Sequence, residues 1–229
     1  MAGDVTLVIT ACGRPELLRR TLESFRRFNT YPLAECILIE DSGRSGCNED
    51  IKALMPWPVK TIYNPRNLGQ IPSVDIAYGQ VQTPYIFHCE DDWEFYRAGF
   101  IEDSLAILDK DPKVLNVWLR AHQDTNGHPI EDEDRGGYRY MAQHYANCWH
   151  GFTFNPGLRR TSACMRLHPY CDLDVLIPKG EEQLSVHGEV DLSIYFKLLG
   201  YRGAITLNED GYVRHIGEGQ HVKLSWDQR

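Results

Sequence analysis

An α/β fold, with a mostly parallel central sheet flanked by helices, is what this 229-residue sequence predicts on three observations. Short apolar runs alternate with stretches of helical periodicity, and each run breaks off at polar or acidic residues. The composition, 42% hydrophobic beside 24% charged, is that of a chain with enough apolar surface to bury a core without disulfides or a structural metal.

The elements follow in order. Val5 to Ile9 is apolar and closes at Thr10, and Leu18, Leu22, Phe25 and Phe28 recur at helical spacing behind Pro15, a residue suited to a first helical turn. Cys36 to Ile39 repeats the strand signal and stops at Glu40-Asp41-Ser42-Gly43, and Val59 to Tyr63 is a third run ending at Asn64-Pro65. Ile71, Val74, Ala77, Tyr78 and Val81 mark one face of a helix, and Tyr85-Ile86-Phe87 is a fourth strand that runs into Glu90-Asp91-Asp92. A helix carrying Ile101, Leu105 and Leu108 leads to a strand from Val114 to Leu119. Between His122 and Arg139 the pattern dissolves into a polar loop whose acidic run, Glu131-Asp132-Glu133-Asp134, reads as a solvated face, because adjacent like charges repel into water. Leu192, Tyr195, Phe196 and Leu199 form a last helical face closed by Gly200, and Ala204 to Leu207 reads as a strand.

Charge and cysteine usage narrow the function. With Lys+Arg 24 against Asp+Glu 32 the net charge is -8, which speaks against nucleic acid as a partner. No run reaches the roughly 20 apolar residues of a membrane span. Asp4 stands where a leader would be basic, and Gly13-Arg14-Pro15 interrupts the first apolar stretch, so the expected location is cytoplasmic. The seven cysteines are odd in number and none lies in a C-x-x-C pair, which predicts reduced, mostly buried thiols.

Open α/β sheets bind ligands beyond the C-terminal ends of their strands, and Thr10, Asp41, Asn64 and the Glu90-Asp91-Asp92 triplet all follow apolar strands directly. Three consecutive carboxylates repel one another unless a cation or hydrogen-bond donors compensate, and oxygen ligands of this kind suit Mg²⁺ or Mn²⁺. The plain alternative is an acidic turn that starts a helix after Trp93 and favours its dipole.

The order of elements and four motifs resemble family-2 glycosyltransferases, the nucleotide-sugar enzymes of the GT-A fold, over nearly the whole chain. Val5-Thr6-Leu7-Val8-Ile9-Thr10 with Arg14-Pro15-Glu16-Leu17-Leu18 is similar to the family's first strand and helix, and Ile37-Leu38-Ile39-Glu40-Asp41-Ser42-Gly43 to its second strand and acidic end. Asn67-Leu68-Gly69 followed by Tyr85-Ile86-Phe87-His88-Cys89-Glu90-Asp91-Asp92 resembles the asparagine-glycine turn and the D-x-D-type strand. Gly188-Glu189-Val190-Asp191-Leu192, leading to Leu199-Gly200-Tyr201-Arg202, resembles the helix that presents the catalytic acid. The resemblance implies a GT-A-like, Rossmann-type sheet in one domain over residues 1–229, with a nucleotide-binding part over 1–92 and an acceptor and catalytic part over 93–229.

It also implies roles by position. Asp41 would contact the base, with Thr10, Arg14 and Asn67 at the nucleotide pocket. Asp91 would face ribose or sugar, with Glu90 among the donor-binding residues, and Asp92 would ligate Mn²⁺ or Mg²⁺ bridging the diphosphate of a nucleoside-diphosphate sugar, a uridine one. Glu189 would take the proton of a glycan or other acceptor hydroxyl in an inverting transfer, and Asp191 competes for that role because the family's Glu-Asp pair reads Gly188-Glu189 here. His215 would complete the metal shell, with His221 the next candidate and Arg214 or Lys223 near the phosphates. The triplet is also similar to that of eukaryotic N-acetylglucosaminyltransferases of the same fold, which leaves the donor sugar open. No Gln-x-x-Arg-Trp motif occurs, which sets processive polysaccharide synthases aside.

Trp149, Phe152 and Phe154 could stack on a sugar or pack in the core, and Arg159 and Arg160 could meet phosphate or solvent. Two rivals stand beside this reading. A nucleotidyltransferase would show a Gly-rich phosphate loop where this chain has Ala11-Cys12-Gly13-Arg14. An inactive sugar-nucleotide or glycan-binding module would have no need of Glu189 beside a full acidic triplet.

Overall fold

The computed structural model describes residues 3–143, 149–174, 176 and 184–219, the side chains of 184–187 excepted. Four strands, β1 (Val5–Ala11), β2 (Glu35–Glu40), β3 (Val59–Tyr63) and β4 (Tyr85–Glu90), pair in parallel in the order β3-β2-β1-β4. Helices α1 (Pro15–Phe28), α2 (Glu49–Lys52) and α3 (Gln70–Tyr78) connect them. Beyond them come β5 (Trp93–Phe95), α4 (Phe100–Lys110), β6 (Val114–Trp118), β7 (Tyr138–Tyr140), β8 (Gly157–Arg160), α5 (Thr161–Cys164), a 3-10 turn at Tyr170–Asp172, α6 (Leu184–Leu198), β9 (Arg202–Thr206) and β10 (Val213–His215).

The sheet continues through this second half as β4-β8-β6-β9-β7, with β8 and β7 running against the rest, so the mostly parallel expectation holds. β5 and β10 form a separate antiparallel pair.

Both faces of the sheet are covered, which explains the unbroken apolar runs. In β1, Val5, Leu7, Val8 and Ile9 are all buried, as a strand clothed on both sides requires. On one face α1 turns Leu18, Leu22 and Phe25 inward, and Phe25 meets Phe87, Phe95 and Phe100 edge-on with ring centres 5.0 to 5.5 Å apart. On the other, Val8, Ile37, Ile39 and Ile86 pack with Val74, Ala77 and Tyr78 of α3 and with Leu192 and Phe196 of α6. No helix among the described residues is long and apolar enough to cross a membrane, and the six described cysteines are free thiols.

Several expectations are corrected. The residues after the acidic triplet form β5 and the next helix starts only at Phe100, so the triplet does not sit on a helix dipole. The segment read as loop to Arg139 ends in β7, whose Tyr138 and Tyr140 are buried while their hydroxyls donate to Asp111. Its acidic run is engaged at the surface: Glu131 pairs with Arg202, Glu133 with Arg135, and Asp134 accepts the Gly136 and Gly137 N–H groups. The last internal strand starts at Arg202 rather than Ala204, because Lys113 and β6 supply ladder partners from there on.

Candidate active site

The C-terminal ends of β1, β2 and β4 converge, and their side chains hold one another. Arg14, at the start of α1, grips Asp91 through Nη2 and through Nε at 3.2 Å, and reaches Asp92 Oδ2 with Nη1 at 2.9 Å. Asp91 Oδ2 also accepts the Cys12 N–H at 3.2 Å. His215 on β10 places Nε2 3.2 Å from the same Asp92 oxygen, and its ring lies against Trp93 at 5.2 Å. Glu90 accepts from Gln70 Nε2 at 2.8 Å and from Trp93 Nε1 at 3.2 Å. Thr10, next to last in β1, lies in register with Glu90. Thr21 ties the bend together from beneath, donating to the Asp91 carbonyl and accepting the Trp93 N–H.

Burial and the crowding of like charges set the protonation of the triplet. Burial, with Asp92 and Glu189 nearby, pushes Glu90 up to about 8, so it carries a proton at neutral pH. Burial also lifts Asp91, to about 6, despite the Arg14 guanidinium. Burial acts the same way on Asp92, but the His215 hydrogen bond and the Arg14 charge outweigh it and hold Asp92 below its usual range. Asp92 is therefore the member most firmly ionised.

Asp41 and Glu40 are turned to the backbone. Asp41 accepts the Leu68 and Gly69 N–H groups, both at 2.8 Å, and the Asn64 amide, so the carboxylate expected at the base fastens the turn before α3. Glu40 accepts from Gly13, Ser42 and Asn48 and fastens the β1 turn in the same way. Asn67 donates to Cys12 Sγ at 3.2 Å, while its buried Oδ1 accepts nothing. Burial, then the nearby Asp41, Glu40 and Asp91, pushes the Cys12 thiol up to about 11, which makes it a neutral lining group.

Glu189 and Asp191 part company. Glu189 accepts the Phe154 N–H at 2.6 Å and the Thr153 hydroxyl, lies within electrostatic reach of Glu90, and is raised by burial. Asp191 accepts the Leu176 N–H at 3.1 Å. The glycine before Glu189 has a steric reason: a Cβ on Gly188 would fall 2.4 Å from Ile71 Cγ1, so its absence lets α6 close on α3 beside the site. Gly217 is needed likewise, since a Cβ there would lie 2.4 Å from Asp92 Oδ2.

Other expectations move. Phe152 and Phe154 are core residues, 2% and 1% exposed, and Trp149 stays partly exposed while its indole donates to the Phe152 carbonyl. Arg159 meets neither phosphate nor solvent, being fully buried, and Arg160 bonds the Leu108 carbonyl. Arg214 pairs with Glu94. His221 and Lys223 lie outside the described residues. Sequence reading missed Glu40, Gln70, Trp93 and Thr153; only Glu40, beside Asp41, carried a visible signal.

The residues present fit a divalent cation. The donor set is of the right chemistry, an ionised Asp92 carboxylate beside the His215 imidazole, 3.2 Å apart. One ionised carboxylate and one imidazole leave further positions to water and diphosphate oxygens, and no group of three or more metal-ligating side chains occurs among the described residues.

Comparison with known proteins gives a family and a fold. The family model for glycosyl transferase family 2 matches residues 6–164. Among solved structures, a mannosyltransferase from Pyrobaculum calidifontis in complex with GDP-Man and Mn²⁺ superposes with a TM-score of 0.66 at 13% identity, over 96% of this chain and 59% of that one. S. aureus TarS 1–349 in complex with UDP-GlcNAc gives 0.63 at 12% identity, over 95% and 61%. GalNAc-T7 with UDP, GalNAc and Mn²⁺ gives 0.63 at 15% identity, over 92% and 43%. The likeness is one of fold, and this chain spans well under two thirds of each of those chains. No curated protein matches it in sequence.

Proposed function

Because the chain belongs to glycosyl transferase family 2, whose match covers residues 6–164, we propose that it moves a sugar from a nucleoside-diphosphate donor, a uridine one, to an acceptor hydroxyl with inversion. The observation that carries this reading is the meeting of an ionised Asp92, shared by Arg14 and His215, with a Glu189 carboxylate in electrostatic reach of Glu90. Solved relatives of the fold that hold GDP-Man, UDP-GlcNAc or UDP support a nucleotide-sugar donor.

Each group then has a task. Asp92 and His215 would hold Mn²⁺ or Mg²⁺, which when bound offsets the charge on the departing diphosphate. Arg14 fixes Asp91 and Asp92 against their mutual repulsion, so the donor meets a site already in place. Asp41 acts through the 67–69 turn, keeping Asn67 at the pocket wall. As the acceptor oxygen attacks the anomeric carbon and the bond to the diphosphate breaks, the acceptor proton passes to Glu189. Burial raises its affinity for protons, the direction a general base needs, and the Phe154 and Thr153 donors hold its orientation. Asp191, tied to Leu176, is a positioning residue for α6.

Metal and nucleotide binding are expected to be coupled. UDP should bind appreciably tighter in Mn²⁺ than in EDTA by calorimetry, and Asp92→Ala should remove most of the difference; equal affinities in wild type would overturn the metal role. Turnover of a UDP-sugar by water in the absence of acceptor distinguishes this enzyme from an inactive binding module.

A further inference from the structure

We propose that Arg159 is a positioning residue for Glu189, a buried cation that fixes the segment from Thr153 to Asn155 whose donors aim that carboxylate. The inference rests on the reading of Glu189 as the base.

Arg159 lies on β8 with no exposed surface, and among the described residues no carboxylate stands within salt-bridge distance of it. A buried charge with no carboxylate in salt-bridge contact is costlier to bury than an apolar side chain of the same length, so stability alone gives no reason for arginine here. Both terminal nitrogens of its guanidinium are instead taken up by positioning contacts, while its buried Nε donates to nothing. Nη2 donates to the Thr153 carbonyl at 2.6 Å and the Asn155 carbonyl at 3.3 Å, and Nη1 donates to the Tyr78 hydroxyl at 2.6 Å. The faces of Phe152 and Phe154 lie 5.4 and 5.5 Å from its central carbon.

The stretch it grips belongs to no strand or helix, so its carbonyls have no ladder partners, and the planar fork supplies them. From that stretch the Phe154 N–H and the Thr153 hydroxyl reach Glu189. The contact to Tyr78 runs on: that hydroxyl, accepting from Arg159, also shares a hydrogen bond with His88 Nδ1 at 3.0 Å, on the strand that ends in Glu90. One side chain thus links the cradle of Glu189 to the strand carrying the acidic triplet. Its positive charge also favours the ionised form of Glu189.

The test is a double-mutant cycle on the full chain, read as Mn²⁺-dependent hydrolysis of whichever of UDP-glucose, UDP-galactose and UDP-N-acetylglucosamine turns over fastest. Arg159→Met keeps the length and removes the fork; kcat should fall about 10²-fold with KM for the donor within about twofold. Adding Glu189→Gln to that variant should cost far less than it costs wild type, because a misaimed base has little left to lose. Losses that multiply, or a wild-type kcat in Arg159→Met, overturn the inference. If Arg159→Met does not fold, Arg159→Lys serves: it keeps the charge but cannot bond Tyr78 and both carbonyls together, so kcat should still drop and the cycle should still be non-additive, and wild-type kcat overturns the proposal. A Glu189→Gln enzyme at wild-type rate removes the base assignment itself, a failure distinct from multiplying losses.

Discussion

In residues 3–92 the carboxylates of Glu40 and Asp41 are held by backbone turns at the sheet edge, whereas in residues 93–219 Glu189 and His215 rest on an irregular segment and a short strand. In the first region Glu40 fastens the turn after β1, and Asp41 the turn before α3, through main-chain N–H groups. In the second, Glu189 leans on a stretch outside any regular element, and His215 rides on a three-residue strand paired with β5. Polar groups of the first region are therefore part of what keeps the sheet edge folded. Those of the second can be altered with less consequence for the fold, which leaves that region free to carry chemistry and acceptor choice.

The sharpest way to break this comparison is to strike the two carboxylates in turn. Glu189→Gln keeps the acceptor for the Phe154 N–H but removes the proton acceptor, so transfer should drop roughly 10²- to 10⁴-fold while UDP affinity and the denaturation midpoint stay near wild type. A matching loss of stability would make the second region as structural as the first. Asp41→Ala should do the reverse: the Leu68 and Gly69 N–H groups and the Asn64 amide lose their acceptor, and urea unfolding should show a loss of about 3 kcal/mol. Should the variant unfold like wild type and only lose nucleotide affinity, Asp41 belongs at the base after all.

The smallest effect sharpens the seam between the regions, where His88 of β4 meets Tyr78 and, beyond it, Arg159 of β8. Burial and the Arg159 charge hold the His88 imidazole well below its ordinary value, so the folded state binds fewer protons than the unfolded one. That contribution is intact above the unfolded pKa of about 6.5 and is lost as pH falls below it, at up to about 1.4 kcal/mol per pH unit. Glu90 and Asp91, which bind protons in the folded state over the same range, act in the opposite sense, so His88 is read by difference: from pH 7 to 5 the unfolding free energy of His88→Gln should change relative to wild type by up to one proton in slope, in the direction of greater stability at low pH, and a slope equal to that of wild type would mean that His88 titrates normally.

Legibility in the sequence divides along the same line. The strands β1 to β4 and the helices α1, α3, α4 and α6 could be read directly, because strands buried on both faces are runs of apolar residues and helices against a sheet repeat every three to four. The acidic triplet, Arg14 and His215 could be placed at one edge because each follows or flanks such a run, and the structure does bring them together. Strands β5, β7 and β8, three or four residues each, left no periodic trace, since what makes them strands is a partner elsewhere in the chain.

By itself, then, the order of apolar runs and polar stops determined the α/β sheet and the edge at which its carboxylates gather, because burial of a strand or a helical face is written into neighbouring residues. Only the tertiary structure decided what each polar group does there. It turned Asp41 inward onto the 67–69 turn, gave Asp191 to Leu176 and Glu189 to Phe154, and drew Arg159 from the expected surface into the core. The physical reason is that a hydrogen bond or ion pair is set by distance in space, and its partners here stand tens of residues away along the chain, beyond the reach of any local pattern.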